Sequence, residues 1–140
     1  MKSQFQIVKT FLHVAVVLSA SAWMTAASAQ AIADSGDINN DGIEDVAVVT
    51  APTTITVYLA NPDGSHTVSA ILSAPKNRPI SSFYLYDLNG DGALDVFASS
   101  PGGGDWVYLH LWYGNGDGTF GARTTQKWSW PPKGHPHGSW

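Results

Sequence analysis

The chain has 140 residues, with 11 Asp or Glu against 7 Lys or Arg and a formal net charge of −4 at pH 7. This length suffices for one small domain with its own core, even if a leader peptide is removed. The acidity disfavours nucleic acid as a partner, because such binding needs a basic surface, and the absence of cysteine excludes disulfide cross-links.

Residues 1–29 have the pattern of a secretory signal peptide. Lysines charge its start, an apolar stretch follows, and Ala27-Ser28-Ala29 is a small-residue cleavage site. The mature chain would then begin at Gln30, be secreted or periplasmic, and carry five Lys or Arg against eleven Asp or Glu, a net charge of −6. The alternative is a membrane anchor, which the stretch is too short to form, because a spanning helix needs about 20 apolar residues. We therefore expect no stable membrane span after cleavage.

Two nine-residue loops with the pattern Asp-x-Asn-x-Asp-Gly-x-x-Asp start 50 residues apart, at Asp37 and Asp87. Side-chain oxygens at positions 1, 3, 5 and 9 suit a hard cation such as calcium, and Gly at position 6 permits the sharp turn around it. Magnesium is less suitable because it keeps more of its water. The other interpretation is a set of Asx turns that binds no ion, but three carboxylates so close together would repel one another.

Short strands follow the first loop. Residues 46–50 form a β-branched run, residues 54–59 alternate so that Ile55, Val57 and Leu59 share one face, and a Pro-Asp-Gly turn leads to a strand over residues 66–72.

The second half repeats this order. Its alternating segment places Leu109, Leu111 and Tyr113 where the first half has its apolar face, and residues 119–123 begin the last strand. The sequence therefore predicts one repeat over residues 30–75, a second over residues 76–123, and a flexible Trp, Pro and Gly-rich tail over residues 124–140. A repeat of about 50 residues built of short strands is typical of a propeller or an array.

The second loop, followed by the segment Tyr-Gly-Asn-Gly-Asp-Gly-Thr-Phe-Gly-Ala at residues 113–122, closely resembles the FG-GAP repeat, also called the VCBS repeat. The first half resembles it less completely, because the Phe-Gly pair is missing. The resemblance implies an all-β fold of two propeller-blade-like antiparallel sheets. Since family propellers have about seven blades, we expect a partial propeller or one that oligomerisation completes.

The resemblance also implies two calcium sites. The implied ligands are the side chains at loop positions 1, 3, 5 and 9 and the backbone carbonyl at position 7: Asp37, Asn39, Asp41, Ile43 and Asp45, then Asp87, Asn89, Asp91, Ala93 and Asp95. An EF-hand or dockerin is the rival for such loops. It is excluded because position 12 is Val48 or Ala98 where an EF-hand needs Glu, and because strands follow where an EF-hand has helices.

These features predict a secreted calcium-binding module that acts in binding or adhesion, toward carbohydrate or a protein surface, with mainly structural calcium and no enzymatic activity. Two alternatives stay open: a truncated relative of a larger propeller enzyme that acts on glycans as a hydrolase or lyase, and a homo-oligomeric subunit. Four tryptophans could stack on sugar rings, but a role in packing is favoured for them: Trp106, Trp112, Trp128 and Trp130. His135 and His137 could bind a transition metal, but a place in the flexible tail is favoured.

Overall fold

A computed structural model describes residues 31–129, which form two four-stranded antiparallel sheets. The first sheet contains β1 (Ala33–Gly36), β2 (Asp45–Ala51), β3 (Thr54–Ala60) and β4 (His66–Ser73). The second contains β5 (Ser82–Tyr86), β6 (Asp95–Gly103), β7 (Trp106–Trp112) and β8 (Thr124–Ser129). Each strand pairs with its neighbour along the chain, so each sheet is a simple meander. The expected fold class, two propeller-blade-like sheets, is confirmed, and the sheets do not close into a ring.

The predicted signal peptide and residues 130–140 lie outside the described residues. Within residues 31–129, no helix is long and apolar enough to cross a membrane.

The main core cluster joins the two sheets, which therefore stack face to face. It takes its buried members from both halves of the chain: Ile38, Ala47, Ile55, Val57, Leu72, Ala74, Ile80, Phe83, Val96, Ala98 and Trp112. A second, smaller cluster lies on the other face of the first sheet and contains Val46 and Val48. Because β2 is buried on both faces, its continuous apolar run is what such a strand requires.

The sheets stack by unlike faces. In the first sheet, Ala47 and Val57 point toward the second sheet, whereas in the second sheet the residues that point toward the first are Val96 and Trp112. Val96 is equivalent to Val46, since each directly follows the last Asp of its loop. Val46, however, points away from the second sheet, so the core-facing side of the second sheet corresponds to the outward side of the first.

This stacking corrects the expected apolar face of β7. Leu109, Leu111 and Tyr113 do occupy the positions equivalent to the face of β3 that the sequence indicates, but they are half-buried or exposed. The buried residues of β7 are His110 and Trp112, on the opposite face. The physical reason is that contact with the first sheet decides which face is covered.

The last strand also differs from the expectation. The sequence predicts its start within residues 119–123 and a flexible tail from residue 124, whereas residues 124–129 form β8 and pair with β7. Residues 119–123, which precede β8, are not part of this strand. Within them, Phe120 instead closes the turn that follows β7, through a bridge to Gly114. Because β8 is a mostly exposed edge strand, with the sequence Thr-Thr-Gln-Lys-Trp-Ser, it lacks the apolar alternation by which strands are identified.

Candidate metal centre

The two acidic loops occupy equivalent places in the two sheets. One joins β1 to β2 and the other joins β5 to β6. Their backbones turn sharply through the left-handed region, at Asn40 and Gly42 in the first loop and at Gly90 and Gly92 in the second. Asn and Gly are the residues that adopt this region most readily, so the loop sequence encodes the turn directly.

The first carboxylate of each loop accepts backbone N–H groups from across the turn. In the first loop, Asp37 accepts from Asp41 at 3.0 Å and from Gly42 at 2.9 Å. The acid at position 5 closes a smaller ring, because Asp41 Oδ1 accepts from the N–H of Ile43 at 2.8 Å. The second loop repeats all three bonds with Asp87, Asp91, Gly92 and Ala93. The carboxylates at positions 1 and 5 are thus oriented by the backbone of their own loop.

The asparagine at position 3 lies against the acid at position 5. Asn39 Nδ2 donates to Asp41 Oδ2 at 2.9 Å, and Asn39 Oδ1 accepts from the Asp41 N–H at 3.2 Å. Asn89 and Asp91 form the same pair of bonds. The structure therefore brings positions 1, 3 and 5 of each loop together.

Position 9 has a different environment. Asp95 is fully buried, and its two carboxylate oxygens accept N–H groups from Leu88 and Gly114, both at 2.9 Å. Asp45 makes the same pair of bonds, to Ile38 and Ala60, both at 2.8 Å. Each of these carboxylates therefore fastens its loop to the far end of the next hairpin. The loop pattern in the sequence does not indicate this structural role.

The environments of these acids change their pKa values in opposite directions. Burial raises the pKa of Asp45, and the charge of Asp41 raises it further, while the amides of Ala60 and Ile38 oppose the rise. In the second loop, the Ala93 amide and the Asn89 side chain lower the pKa of Asp91. A bound cation would favour the ionised form of every carboxylate in its loop.

Calcium fits the chemistry of these loops, whose donors are carboxylate, amide and carbonyl oxygens. Within residues 31–129, the structure contains no group of three or more His, Cys, Asp or Glu side chains arranged to hold a metal ion. The carboxylates instead face backbone amides. Each carboxylate oxygen has two lone pairs, so an oxygen that accepts one N–H bond keeps the other lone pair for an ion. The exception is Asp87 Oδ1, which accepts N–H groups from both Gly90 and Asp91. The ten predicted ligands, with Ile43 and Ala93 as carbonyl donors, stay a prediction.

A buried hydrogen-bonded histidine lies away from the loops, on the core-facing side of the second sheet. Ser100 Oγ donates to the carbonyl of Arg78 at 3.1 Å, so His110 Nε2 must supply the hydrogen of its 3.0 Å bond to Ser100. His110 Nδ1 then accepts from Thr125 Oγ1 at 3.0 Å. Because Nε2 carries a proton in this arrangement, it cannot take one from Ser100. The pair is a structural network, and its residue spacing carries no signal from which the sequence could reveal it.

This network predicts acid sensitivity. Burial, with the positive charges of Arg123 and Arg78, lowers the pKa of His110. The unfolded chain therefore binds more protons than the folded one as the pH falls below about 6.5, and stability decreases by at most about 1.4 kcal/mol per pH unit from this group. Urea unfolding at pH 7.5, 6.5 and 5.5 checks it. The His110→Gln variant should show a shallower loss, and an identical loss in both proteins would contradict the assignment.

Comparison with known proteins supports the two acidic loops as parts of a repeat. A family model described as an FG-GAP-like repeat matches residues 37–98, which include both acidic loops. No curated protein and no solved structure matches the chain. Two four-stranded antiparallel sheets, each with its loop between the first two strands, are consistent with that family. Residues 37–98, somewhat less than half of the chain, are therefore similar to FG-GAP-like repeats, in agreement with the sequence resemblance.

Proposed function

We propose that the protein is a secreted or periplasmic binding module stabilised by two calcium ions, with no catalytic role. The observation that carries the proposal is the shared arrangement of positions 1, 3, 5 and 9 in the two loops. In each, the side chains at positions 1, 3 and 5 are gathered by the same hydrogen bonds, and a buried Asp at position 9 fixes the loop to the sheet.

Electrostatics supports a cation in each loop. Each loop holds three Asp within nine residues, and their amide partners are neutral. Neutral donors favour ionised carboxylates but do not cancel the repulsion among them, whereas one divalent ion does both. The role of the ion would be structural, because each loop joins the first two strands of its sheet.

Binding or adhesion is the activity that such a scaffold would support, with carbohydrate or a protein surface as the partner. Support comes from aromatic side chains that the fold leaves exposed, among them Tyr84, Tyr86 and Trp128. Tyr84 and Tyr86 lie on one face of β5, since alternate residues of a strand point the same way. Exposed aromatic rings are enriched at binding surfaces.

Calcium should raise the melting temperature of the mature protein. Extracellular calcium sites commonly have Kd values of about 10⁻⁴–10⁻³ M. At a concentration ten times Kd, each site would add about 1.4 kcal/mol of stability. Thermal melts followed by Trp fluorescence, with calcium and with chelator, measure this. The Asp41→Ala, Asp91→Ala double variant should lose the response.

The chain offers a matched control in its two hairpin turns. Asp63 and Asp117 are exposed, and each accepts hydrogen bonds from the residue two positions later, as Asp41 and Asp91 do. The Asp63→Ala, Asp117→Ala double variant removes the same charge and should keep the full calcium response. Equal melting temperatures of the wild type with calcium and with chelator would refute the proposal.

A further inference from the structure

Positive charge in the described part of the chain is limited to two short segments. Residues 31–129 contain four Lys or Arg against eleven Asp or Glu. The basic residues are confined to the segment between the two sheets and to β8 with the residue before it: Lys76, Arg78, Arg123 and Lys127. Lys127 lies near the end of the second sheet opposite to the acidic loop. The loop is followed by Val96, which pairs with Trp112, whereas Lys127 pairs with Tyr108, four residues earlier in β7.

Two of these cations lie on aromatic rings. The guanidinium carbon of Arg78 is 3.6 Å from the ring centroid of Tyr108, and Lys127 Nζ is 4.0 Å from the ring centroid of Trp106. Tyr108 and Lys127 are directly opposite each other in the pairing of β7 with β8. Directly opposed side chains have Cβ atoms about 5 Å apart, so the two cations and two rings form one continuous surface.

A third cation borders this surface. Arg123 Nε donates to Thr125 Oγ1 at 3.2 Å, and its Nη1 donates to the carbonyl of Ser73. Thr125 is also hydrogen-bonded to His110, and His110 is bonded to Ser100. Ser100 in turn donates to the main-chain carbonyl of Arg78, so these bonds connect Arg123 to Arg78. Arg78, Tyr108, Lys127, Trp106 and Arg123 are called the basic aromatic patch below.

The patch has charged groups available for a ligand. Across the described part of the chain, the aromatic rings are the only partners that the structure gives to the charged groups of Arg78 and Lys127. A guanidinium stacked on a ring keeps its N–H groups in its own plane, directed sideways, in the geometry that a carboxylate or sulfate accepts. The ring contact also restrains the side chain, which lowers the entropy lost when a ligand binds.

We propose that the basic aromatic patch binds an anionic polysaccharide, through carboxylate or sulfate groups on the cations and sugar rings beside the aromatic residues. This inference rests on the proposed binding function and specifies its ligand. Nucleic acid fits less well, because its binding depends on a broad basic surface that contacts many phosphates, and this patch has three cations on an acidic protein.

The test measures binding of the full mature protein, in saturating calcium, to polygalacturonate, dextran sulfate, neutral dextran and single-stranded DNA. We expect binding to polygalacturonate or to dextran sulfate, and no binding to neutral dextran. The polymer that binds more tightly shows whether the patch prefers carboxylate or sulfate groups. The Arg78→Ala, Lys127→Gln variant should bind at least about tenfold more weakly, a loss typical of central interface residues. Its far-ultraviolet spectrum and melting curve show whether it is folded.

The matched control is Lys76→Gln. Lys76 is exposed, lies two residues from Arg78, and does not belong to the patch. Its loss should change affinity less than about twofold, since isolated surface charges contribute little. Unchanged binding by the double variant, an equal loss in Lys76→Gln, equal binding of DNA, or no binding of either anionic polymer would each overturn the proposal. A calcium response without polysaccharide binding would refute only the patch, whereas binding without a calcium response would refute only the calcium module.

Discussion

Replacing Asp95 with Ala is expected to destabilise the protein by about 2–6 kcal/mol, in calcium or in chelator. The substitution strips hydrogen-bond acceptors from the buried N–H group of Gly114 and the partly buried N–H group of Leu88, and each unsatisfied group costs about 1–3 kcal/mol. Because small domains have only about 5–15 kcal/mol in total, this loss approaches global unfolding. Urea unfolding followed by Trp fluorescence measures it.

The comparison with Asp91→Ala separates the fastening role of Asp95 from any role in metal binding. Asp91 belongs to the same loop but is exposed, so its replacement in chelator should cost no more than about 1 kcal/mol. Asp45→Ala should behave like Asp95→Ala, since Asp45 makes the same two bonds in the first sheet. If Asp95→Ala unfolded within about 0.5 kcal/mol of the wild type, the buried carboxylate would not be fastening the hairpin.

Replacing Gly114 with Ala should also be severely destabilising. A Cβ atom at Gly114 would overlap the carbonyl oxygen of Leu94 and lie 3.1 Å from its carbonyl carbon. These are backbone atoms and cannot turn away as a flexible side chain would, so the end of the hairpin must shift. Overpacking of this kind typically costs about 1–3 kcal/mol. For a domain of this size, that corresponds to a fall in melting temperature of roughly 4–8 °C per kcal/mol.

Gly121→Ala provides the matched control for this clash. Gly121 lies in the same hairpin region, and the nearest atom to an added Cβ is the carbonyl oxygen of Tyr113 at 3.7 Å, an ordinary contact. Its melting temperature should stay within a few degrees of the wild type. Equal melting temperatures for the two variants would show that the approach of Gly114 to Leu94 is not tight in solution.

The architecture could be predicted because its signals are local and occur twice. The loops, the Gly-rich turns and the β-branched runs each encode one turn or strand, and the 50-residue offset requires the two halves to be equivalent. The covered face of β7 could not be predicted, because Leu111 and Trp112 are both apolar and only contact with the first sheet selects between them. β8 could not be predicted either, because an exposed edge strand is stabilised by backbone pairing and leaves little apolar pattern in its sequence.

The candidate site was predictable to a similar degree. The pattern of the loops identifies the side chains at positions 1, 3 and 5 that the structure gathers. It does not show that Asp45 fastens Ala60, 15 residues away, or that Asp95 fastens Gly114, 19 residues away. These bonds depend on hairpin geometry that a nine-residue pattern does not contain. The Ser100 and His110 network was hidden for the same reason, since its members meet only when β6 and β7 pair.

The stacking of the sheets by unlike faces has a consequence for lengthening this protein by duplication. A third sheet copied from the second would have to pack on the face of β5 that carries Tyr84 and Tyr86. The equivalent positions of the first sheet are Asp34, which accepts the N–H of Leu85, and Gly36, where an added Cβ would lie 2.6 Å from Leu94. With tyrosines at these positions, the second sheet has no carboxylate to accept the N–H group of a further repeat. It also lacks the space that Gly36 leaves for Leu94 in the first sheet. A designer who wished to extend the stack would first have to change Tyr84 to Asp and Tyr86 to Gly.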